Sequence, residues 1–339
     1  MKNLRPTIFI NRPKWLRYSI LILGIHLLGL ALLFPVVGVY PQFLGIAFLA
    51  YTLGLRHAFD VDHITAIDNT VRKMMQQKQE PTGVGFFFSL GHSSVVFIMA
   101  LITSFSMTWA KENIPQLQAI GGLIGTVVSG GFLLLIGLFN LYIWFDIYRL
   151  FKKMHRGKFD EGNLEKLLLN RGFISHLFRP FYQFISKSWH VYPLGFLFGL
   201  GFDTASEVAL LAISANAAST SMPSTAILSL PVLFAAGMSM MDTADGVFMI
   251  TAYDWAFSTP LRKVYYNLSV TGVSVVAALF IGLIELAQIV TPKLGLNGSI
   301  WEWIQKLDLS GIGYLLAGLF VFGWGVSFLL WKVLRLEHA

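Results

Sequence analysis

Runs of about 20 predominantly apolar residues recur along the whole chain and are separated by shorter polar segments. A helix that crosses the roughly 30 Å hydrocarbon core of a bilayer needs about 20 such residues. The pattern therefore predicts an all-α polytopic membrane protein with about eight transmembrane helices. The predicted spans are 17–37, 43–68, 84–109, 117–149, 191–216, 225–252, 265–291 and 311–331.

The composition supports this fold class. The 339 residues have a mean hydropathy of +0.65, and only 13% of them are charged, which is about half the usual share in a soluble domain. A large soluble domain is excluded because no sequence remains to build it. We expect one transmembrane domain over residues 1–339, with a polar cytoplasmic loop at about 150–190 between two four-helix halves.

The first apolar run follows a basic leader, so a cleaved signal peptide is the alternative to a first transmembrane helix. The run at 17–37 is longer than the apolar core of a signal peptide, and no A-x-A-like cleavage site closes it. We therefore expect a retained first helix.

The basic residues indicate an orientation. If both termini are cytoplasmic, 21 of the 25 Lys and Arg residues lie in inside segments and three lie outside. Such a bias is what the positive-inside rule predicts for a protein of the cell membrane, the inner membrane where there are two. The basic loops would face anionic lipid headgroups, so the net charge of +7 requires no nucleic-acid partner.

Two absences from the sequence narrow the chemistry. The chain has no cysteine, which excludes disulfides, thiolate metal ligands and cysteine nucleophiles. It has no G-x-x-x-x-G-K-[ST] loop, so it does not hydrolyse ATP by that route. We expect no bound cofactor and no obligatory protein partner.

Four predicted spans carry ionisable residues, whereas the others consist mostly of apolar residues and glycine. A charged side chain near the bilayer centre costs about 2.5–3.5 kcal/mol on insertion scales, so these groups must face each other, water or an ion. Pairing of Arg56 with Asp60, four positions apart, is a structural alternative that leaves the other residues unexplained. The candidate metal ligands are His57, Asp60, Asp62, His63, His92, Asp203, Glu207, Asp242 and Asp245.

A regular second helix could not wrap its own ligands around one ion. His57 and His63 would lie about 120° and about 9 Å apart on it. Either the helix is locally unwound, as at many transporter sites, or neighbouring helices complete the shell.

The ligand types favour a borderline divalent metal. Imidazole with carboxylate and without thiolate suits nickel, cobalt or zinc, and also iron or manganese. A magnesium or calcium site would use oxygen ligands and leave the histidines without a role.

The four polar segments resemble those of the nickel/cobalt transporter (NiCoT) family of eight-helix permeases. The family signature, a histidine, four residues and then Asp-His, stands here as His57, Asp62 and His63. The segments, in order along the chain, are "RHAFDVDHI", "LGHSSVVF", "LGFDTASEV" and "GMSMMDTADG". Departures are Val61, where alanine is common, and Ser206, where threonine is common. The resemblance implies high-affinity, low-capacity uptake of Ni²⁺, Co²⁺ or both into the cytoplasm.

Three other functions compete with uptake driven by the membrane potential or a proton gradient. An exporter of the same metals would share the site chemistry, although the 150–190 loop is not rich in histidine. An intramembrane zinc hydrolase would need a general base that the sequence does not place beside the histidines. A transporter subunit would need a partner ATPase.

Two weaker patterns complete the predictions. Spans two and five share a glycine–acid–Ala-Ile outline in "LGLRHAFDVDHITAI" and "LGFDTASEVALLAI", which suggests an inverted repeat with the site at its interface. His26 is a lone polar residue in the first span, and we interpret it as structural, with a role beside the site as the alternative.

Overall fold

The computed structural model describes residues 14–105, 107–154, 185–201, 205–219, 222–257, 267–307, 309 and 311–333. These residues form helices and short connections without any strand, as predicted. The helices are α1 (Leu16–Val39), α2 (Phe43–His57), α3 (Val61–Gln76), α4 (Val84–Phe105), α5 (Met107–Met154), α6 (Tyr192–Gly199), α7 (Ala205–Ser219), α8 (Ser224–Phe257), α9 (Gly272–Lys293), α10 (Ser299–Lys306) and α11 (Ile312–Val333). A 3-10 turn at Ser188–Val191 precedes α6, and a π-helical turn at Asn267–Thr271 precedes α9.

Six helical segments within the described residues are long and apolar enough to cross a bilayer, which fits a polytopic membrane protein. They are Leu16–Val39, Val84–Thr103, Gln116–Arg149, Ser224–Trp255, Leu268–Lys293 and Ile312–Leu329. The other two predicted spans are interrupted. Hydropathy does not detect such interruptions, because it measures whether a side chain prefers water or an apolar phase and carries no information on backbone conformation.

The second predicted span, 43–68, is locally unwound, which is one of the two possibilities that the spacing of its histidines left open. Helix α2 ends at His57, and α3 begins at Val61 and continues to Gln76. Asp60, between them, has extended backbone with φ −64° and ψ 140°. The fifth span is likewise divided, since α6 ends at Gly199 and α7 begins at Ala205.

The predicted spans leave residues 69–83 as a connection on the cytoplasmic side, whereas α3 continues to Gln76 and buries two basic residues. Arg72 is 0% exposed and Lys73 is 2% exposed. The Lys73 ammonium donates a hydrogen bond to the carbonyl oxygen of Ile185, at 3.0 Å. Without these two, 19 basic residues lie on the predicted inside against three outside, so the count still favours the orientation, which stays a prediction.

The apolar segment Gln116–Arg149 agrees with the fourth predicted span, 117–149, although the helix that contains it is longer. Helix α5 begins at Met107, immediately after α4, and runs to Met154. Lysine and glutamate are good helix formers, so the connection that the polarity of Lys111 and Glu112 predicts is helical instead. Most of the predicted 150–190 loop lies outside the described residues.

Helix α8 is the centre of the fold, because it packs against α1, α2, α3 and α4. Helix α6 packs along α4, and α9 packs along α5. Helices α8 and α4 carry candidate ligands themselves, and the other helices that carry candidate ligands pack around them.

Helices α2 and α8 approach each other through two glycines. A Cβ atom on Gly54 would lie 2.1 Å from the carbonyl oxygen of Phe234, and one on Gly237 would lie 2.6 Å from that of Tyr51. Each glycine lets the backbone of the other helix come closer than a side chain would allow.

Helices α6 and α4 repeat this arrangement. A Cβ atom on Gly195 would lie 2.0 Å from the carbonyl oxygen of Phe88, and one on Gly91 would lie 2.1 Å from that of Tyr192. On each of the four helices, the glycine lies three positions after the aromatic residue whose carbonyl oxygen faces the glycine of the other helix. The correspondence of α2 with α6, and of α8 with α4, supports the predicted internal repeat.

A buried polar network joins α3 to α8 and α9. The Asp68 carboxylate accepts hydrogen bonds from Arg72 and Ser274 and a third from the Tyr253 hydroxyl, at 2.6 Å. The Arg72 Nε–H donates to the same hydroxyl at 2.9 Å, and all four residues are fully buried. Since every charge has a partner, removing one partner would leave an uncompensated charge in the core.

We predict that Arg72→Ala destabilises the purified protein in detergent by about 3–5 kcal/mol, because the Asp68 carboxylate loses its counter-ion. Thermal unfolding followed by circular dichroism measures the effect. Arg149→Ala is the control, because Arg149 pairs with Asp146 on the surface, at 3.7 Å, and exposed pairs contribute at most about 1 kcal/mol. Equal unfolding temperatures for the two variants would contradict the structural role of the network.

Candidate metal-binding site

Three histidines from three helices converge in the interior. His57 is the last residue of α2, His63 lies in the first turn of α3, and His92 lies in α4. Their ring centroids are 4.6 to 4.7 Å apart in all three pairs. One nitrogen of each ring lies within 4.8 Å of the others, and the rings are at most 2% exposed.

The interruption of the second span makes this convergence possible. A regular helix would separate His57 and His63 by about 9 Å along its axis, whereas the ring centroids are 4.7 Å apart. Helix α4 then brings His92 to the same point, with its Nε2 atom 2.8 Å from Nε2 of His57. The structure combines the two alternatives for this span, because the helix is unwound and a neighbouring helix supplies a third imidazole.

A different carboxylate contacts each imidazole. Asp60 Oδ2 lies 2.6 Å from Nδ1 of His57, and Glu207 Oε1 lies 2.8 Å from Nε2 of His92. Asp242 Oδ2 lies 3.4 Å from Nδ1 of His63. Carboxylates commonly fix the orientation and tautomer of metal-binding imidazoles by contacting the ring nitrogen that faces away from the metal. Asp60 and Asp242 contact Nδ1 atoms, whereas Glu207 contacts the same Nε2 atom of His92 that faces His57.

Several polar atoms of the cluster are buried without a hydrogen-bond partner among the described residues. They are Nε2 of His63, Nδ1 of His92 and Oδ1 of Asp242. Buried polar atoms normally find partners, because leaving them unpaired costs about 1–3 kcal/mol each. A cation held between the rings would engage the Nε2 atom of His63.

The spacing of the three nitrogens is close to that of a metal centre. Metal–imidazole bonds of about 2.1 Å place two ligand nitrogens at most about 4.2 Å apart. The observed limit of 4.8 Å requires only a small inward movement of the rings. The nitrogen set, with nearby carboxylate oxygens, can therefore hold a borderline divalent ion.

Two of the predicted ligands, Asp62 and Asp245, have described contacts away from the three rings. Asp62 is half-buried, and its Oδ1 atom accepts the backbone N–H of His63 at 2.9 Å, where it interacts favourably with the N-terminus of α3. Asp203 lies outside the described residues. Asp245 lines a separate cavity and reaches none of the three rings by a direct hydrogen bond among the described contacts.

The cavity beside Asp245 has a volume of 220 Å³ and lies between the interruption of the second span, α8 and α11. Its walls are mostly apolar and include Ala58, Phe59 and Ala317. Asp245 places a carboxylate there, and its Oδ2 atom is buried without a hydrogen-bond partner among the described residues. A single acidic group in an apolar cavity favours a cation or a proton as its partner.

Two alternatives from the sequence can be compared with the contacts. Arg56 is exposed, and Asp60 contacts His57, so the structure favours the histidine as the partner of Asp60. His26 has two hydrogen-bond partners outside the histidine cluster. Its Nδ1 atom lies 2.8 Å from the carbonyl oxygen of Ile22, and its Nε2 atom lies 3.3 Å from the Tyr51 hydroxyl in α2. These contacts support the structural interpretation of His26.

Sequence reasoning missed the aromatic walls of the site. The Phe88 ring meets His63 edge-on, with centroids 4.8 Å apart, and the Phe234 ring lies 5.6 Å from that of His57. Phenylalanine is common in apolar spans, so nothing in the composition distinguishes these two residues from lipid-facing ones.

Comparisons with known proteins agree with this chemistry. The NicO family profile, described as a high-affinity nickel-transport protein, matches residues 43–330. The nickel transporter NixA of Staphylococcus aureus is 52% identical over 333 residues, covering 98% of both chains. The high-affinity nickel-transport protein NixA of Helicobacter pylori (strain 26695) is 53% identical, covering 94% of this chain and 97% of its own.

A relative named for a different metal is more distant. The cobalt transport protein NhlF of Rhodococcus rhodochrous is 39% identical over 308 residues, covering 88% of this chain and 87% of its own. No solved structure matches the chain.

We predict that His63→Ala weakens equilibrium binding of Ni²⁺ to the purified protein by at least about tenfold, because one of three converging imidazoles is lost. Isothermal titration calorimetry measures the dissociation constant. His26→Ala is the matched control, since this imidazole lies in a span but bonds to local partners. Unchanged Ni²⁺ affinity in the folded His63→Ala protein would contradict the assignment.

Proposed function

The chain belongs to the NicO family of high-affinity nickel-transport proteins, and on that basis we propose that it takes up Ni²⁺, Co²⁺ or both through the His57–His63–His92 cluster. It is an integral membrane protein whose substrate is a divalent metal ion. We place it in the cell membrane, the inner one where there are two, with both termini in the cytoplasm and no obligatory protein partner. The family is one of transporters, which disfavours the hydrolase alternative.

The convergence of three buried imidazoles, each beside a carboxylate, is the observation that carries the proposal. Neutral imidazole nitrogens are good ligands for Ni²⁺ and Co²⁺, and no thiolate is present to favour softer ions. The nitrogen-rich set also disfavours Mg²⁺ and Ca²⁺, which prefer oxygen.

The charges around the site favour a divalent ion. Asp60, Glu207 and Asp242 are at most 7% exposed and lie beside the three imidazoles. Isolated carboxylates are unfavourable in such an environment, so a cation is favoured as their partner. A 2+ ion neutralises most of the negative charge, and this attraction stabilises the ion between the helices.

The ion needs a second position in order to leave the histidines. Asp245 supplies a carboxylate in the cavity on the α11 side of the interruption, where apolar walls hold the ion less strongly than three imidazoles. We assign this cavity as a transient station. Asp62 and Asp203 remain candidate ligands in another state of the transport cycle.

The membrane potential supplies enough free energy for uptake. A divalent ion that moves inward through 100 mV gains about 4.6 kcal/mol, which corresponds to roughly thousandfold accumulation. A proton gradient can contribute, since ions and protons compete for the same buried groups.

Uptake of radioactive nickel tests function and direction together. Cells that express the protein should accumulate more label than cells without it, whereas an exporter would lower the cellular content. His57→Ala should reduce uptake to background because it removes a ligand, and Asp245→Asn should lower the maximal rate because it removes the second station. Wild-type uptake by both variants, at equal protein abundance, would refute the proposed pathway.

The driving force is tested separately in energised membrane vesicles loaded without ATP. An imposed inside-negative potential should drive nickel accumulation, and an ionophore that collapses the potential should stop it within the same experiment. Accumulation that requires ATP and ignores the ionophore would indicate a partner ATPase instead.

A further inference from the structure

The first turn of α11 lies directly against the interruption between α2 and α3. A Cβ atom on Gly313 would lie 1.7 Å from the carbonyl oxygen of Phe59 and 3.0 Å from the backbone nitrogen of Val61. The next residue, Tyr314, stacks its ring on that of Phe59, with centroids 4.9 Å apart and planes inclined by 19°. The end of the last span therefore contacts both the backbone and the side chain of the interruption.

The contacted segment holds two groups of the metal site. Phe59 lies between His57 and Asp60, and the Asp60 N–H donates to the carbonyl oxygen of His57 at 2.9 Å. The Phe59 N–H donates to the carbonyl oxygen of Arg56, also at 2.9 Å. Because these short-range bonds make the segment a tight turn, a displacement of Phe59 would also move the His57–Asp60 pair.

Other contacts also hold α11 in place. It packs against α3 and the π-helical turn before α9, its residues Leu316 and Phe320 are buried, and Trp324 and Phe328 make ring contacts with Phe248 and Trp255. Leu315 is 63% exposed and Phe322 is 69% exposed, as expected for lipid-facing residues. Among these contacts, those of Gly313 and Tyr314 are the ones that join α11 to the turn at Phe59.

We propose that Gly313 and Tyr314 are positioning residues for metal binding. They hold the turn at Phe59 so that His57 and Asp60 face His63 and His92. This inference rests on the proposed function, and it adds a contribution from a helix that carries none of the candidate ligands. A side chain at position 313 pushes the turn away from α11 and separates the imidazoles without removing any ligand.

The test compares two glycines of the same helix. Gly313→Ala should raise both the Ni²⁺ dissociation constant and the KM for nickel uptake about tenfold, the size of effect seen for residues that orient metal ligands. Gly318→Ala is the matched control, because a Cβ atom there meets nothing within 4 Å. Thermal unfolding of each variant separates loss of affinity from loss of folded protein.

Tyr314 provides a second pair in case Gly313→Ala does not fold. Tyr314→Ala removes the stacked ring and should raise the dissociation constant for Ni²⁺, whereas Tyr314→Phe retains the ring and should restore wild-type affinity. Wild-type affinity in Tyr314→Ala and in any folded Gly313→Ala protein overturns the inference. Unchanged Ni²⁺ binding in His63→Ala would instead refute the proposed function, so the two failures are distinguishable.

Discussion

The structure depends on compensating the charge that it buries. Three carboxylates and three imidazoles meet at one place in the interior of a membrane protein, where an uncompensated charge costs several kcal/mol. The Asp68–Arg72 network solves the same problem with a built-in partner. At the histidine cluster we propose the transported ion as the further partner, which would engage polar atoms that have no hydrogen-bond partner among the described residues.

Interrupting a helix is what assembles the ligands. The extended backbone at Asp60 turns His63 back towards His57 and places the Asp60 carboxylate on the His57 ring. A turn inside the bilayer must be covered by protein, and α11 covers it at Phe59. Ligand geometry and helix packing are therefore two consequences of the same backbone feature.

Much of the site could be predicted from the sequence, because charge in an apolar run is costly enough to indicate a function. His57, His63 and His92 were identified in this way. The choice of Asp60 over Asp62 as the partner of His57 could not be predicted, since it depends on the backbone of the turn. The burial of Arg72 was missed because hydropathy counts residue types and not their partners in distant helices.

X-ray absorption spectroscopy of the purified protein loaded with one equivalent of Ni²⁺ tests the central claim most directly. We expect a first shell of nitrogen and oxygen at about 2.1 Å. The outer-shell scattering should correspond to three imidazole rings in the wild type and to two in His92→Ala. A first shell of water and carboxylate oxygen, without imidazole scattering, would contradict that claim.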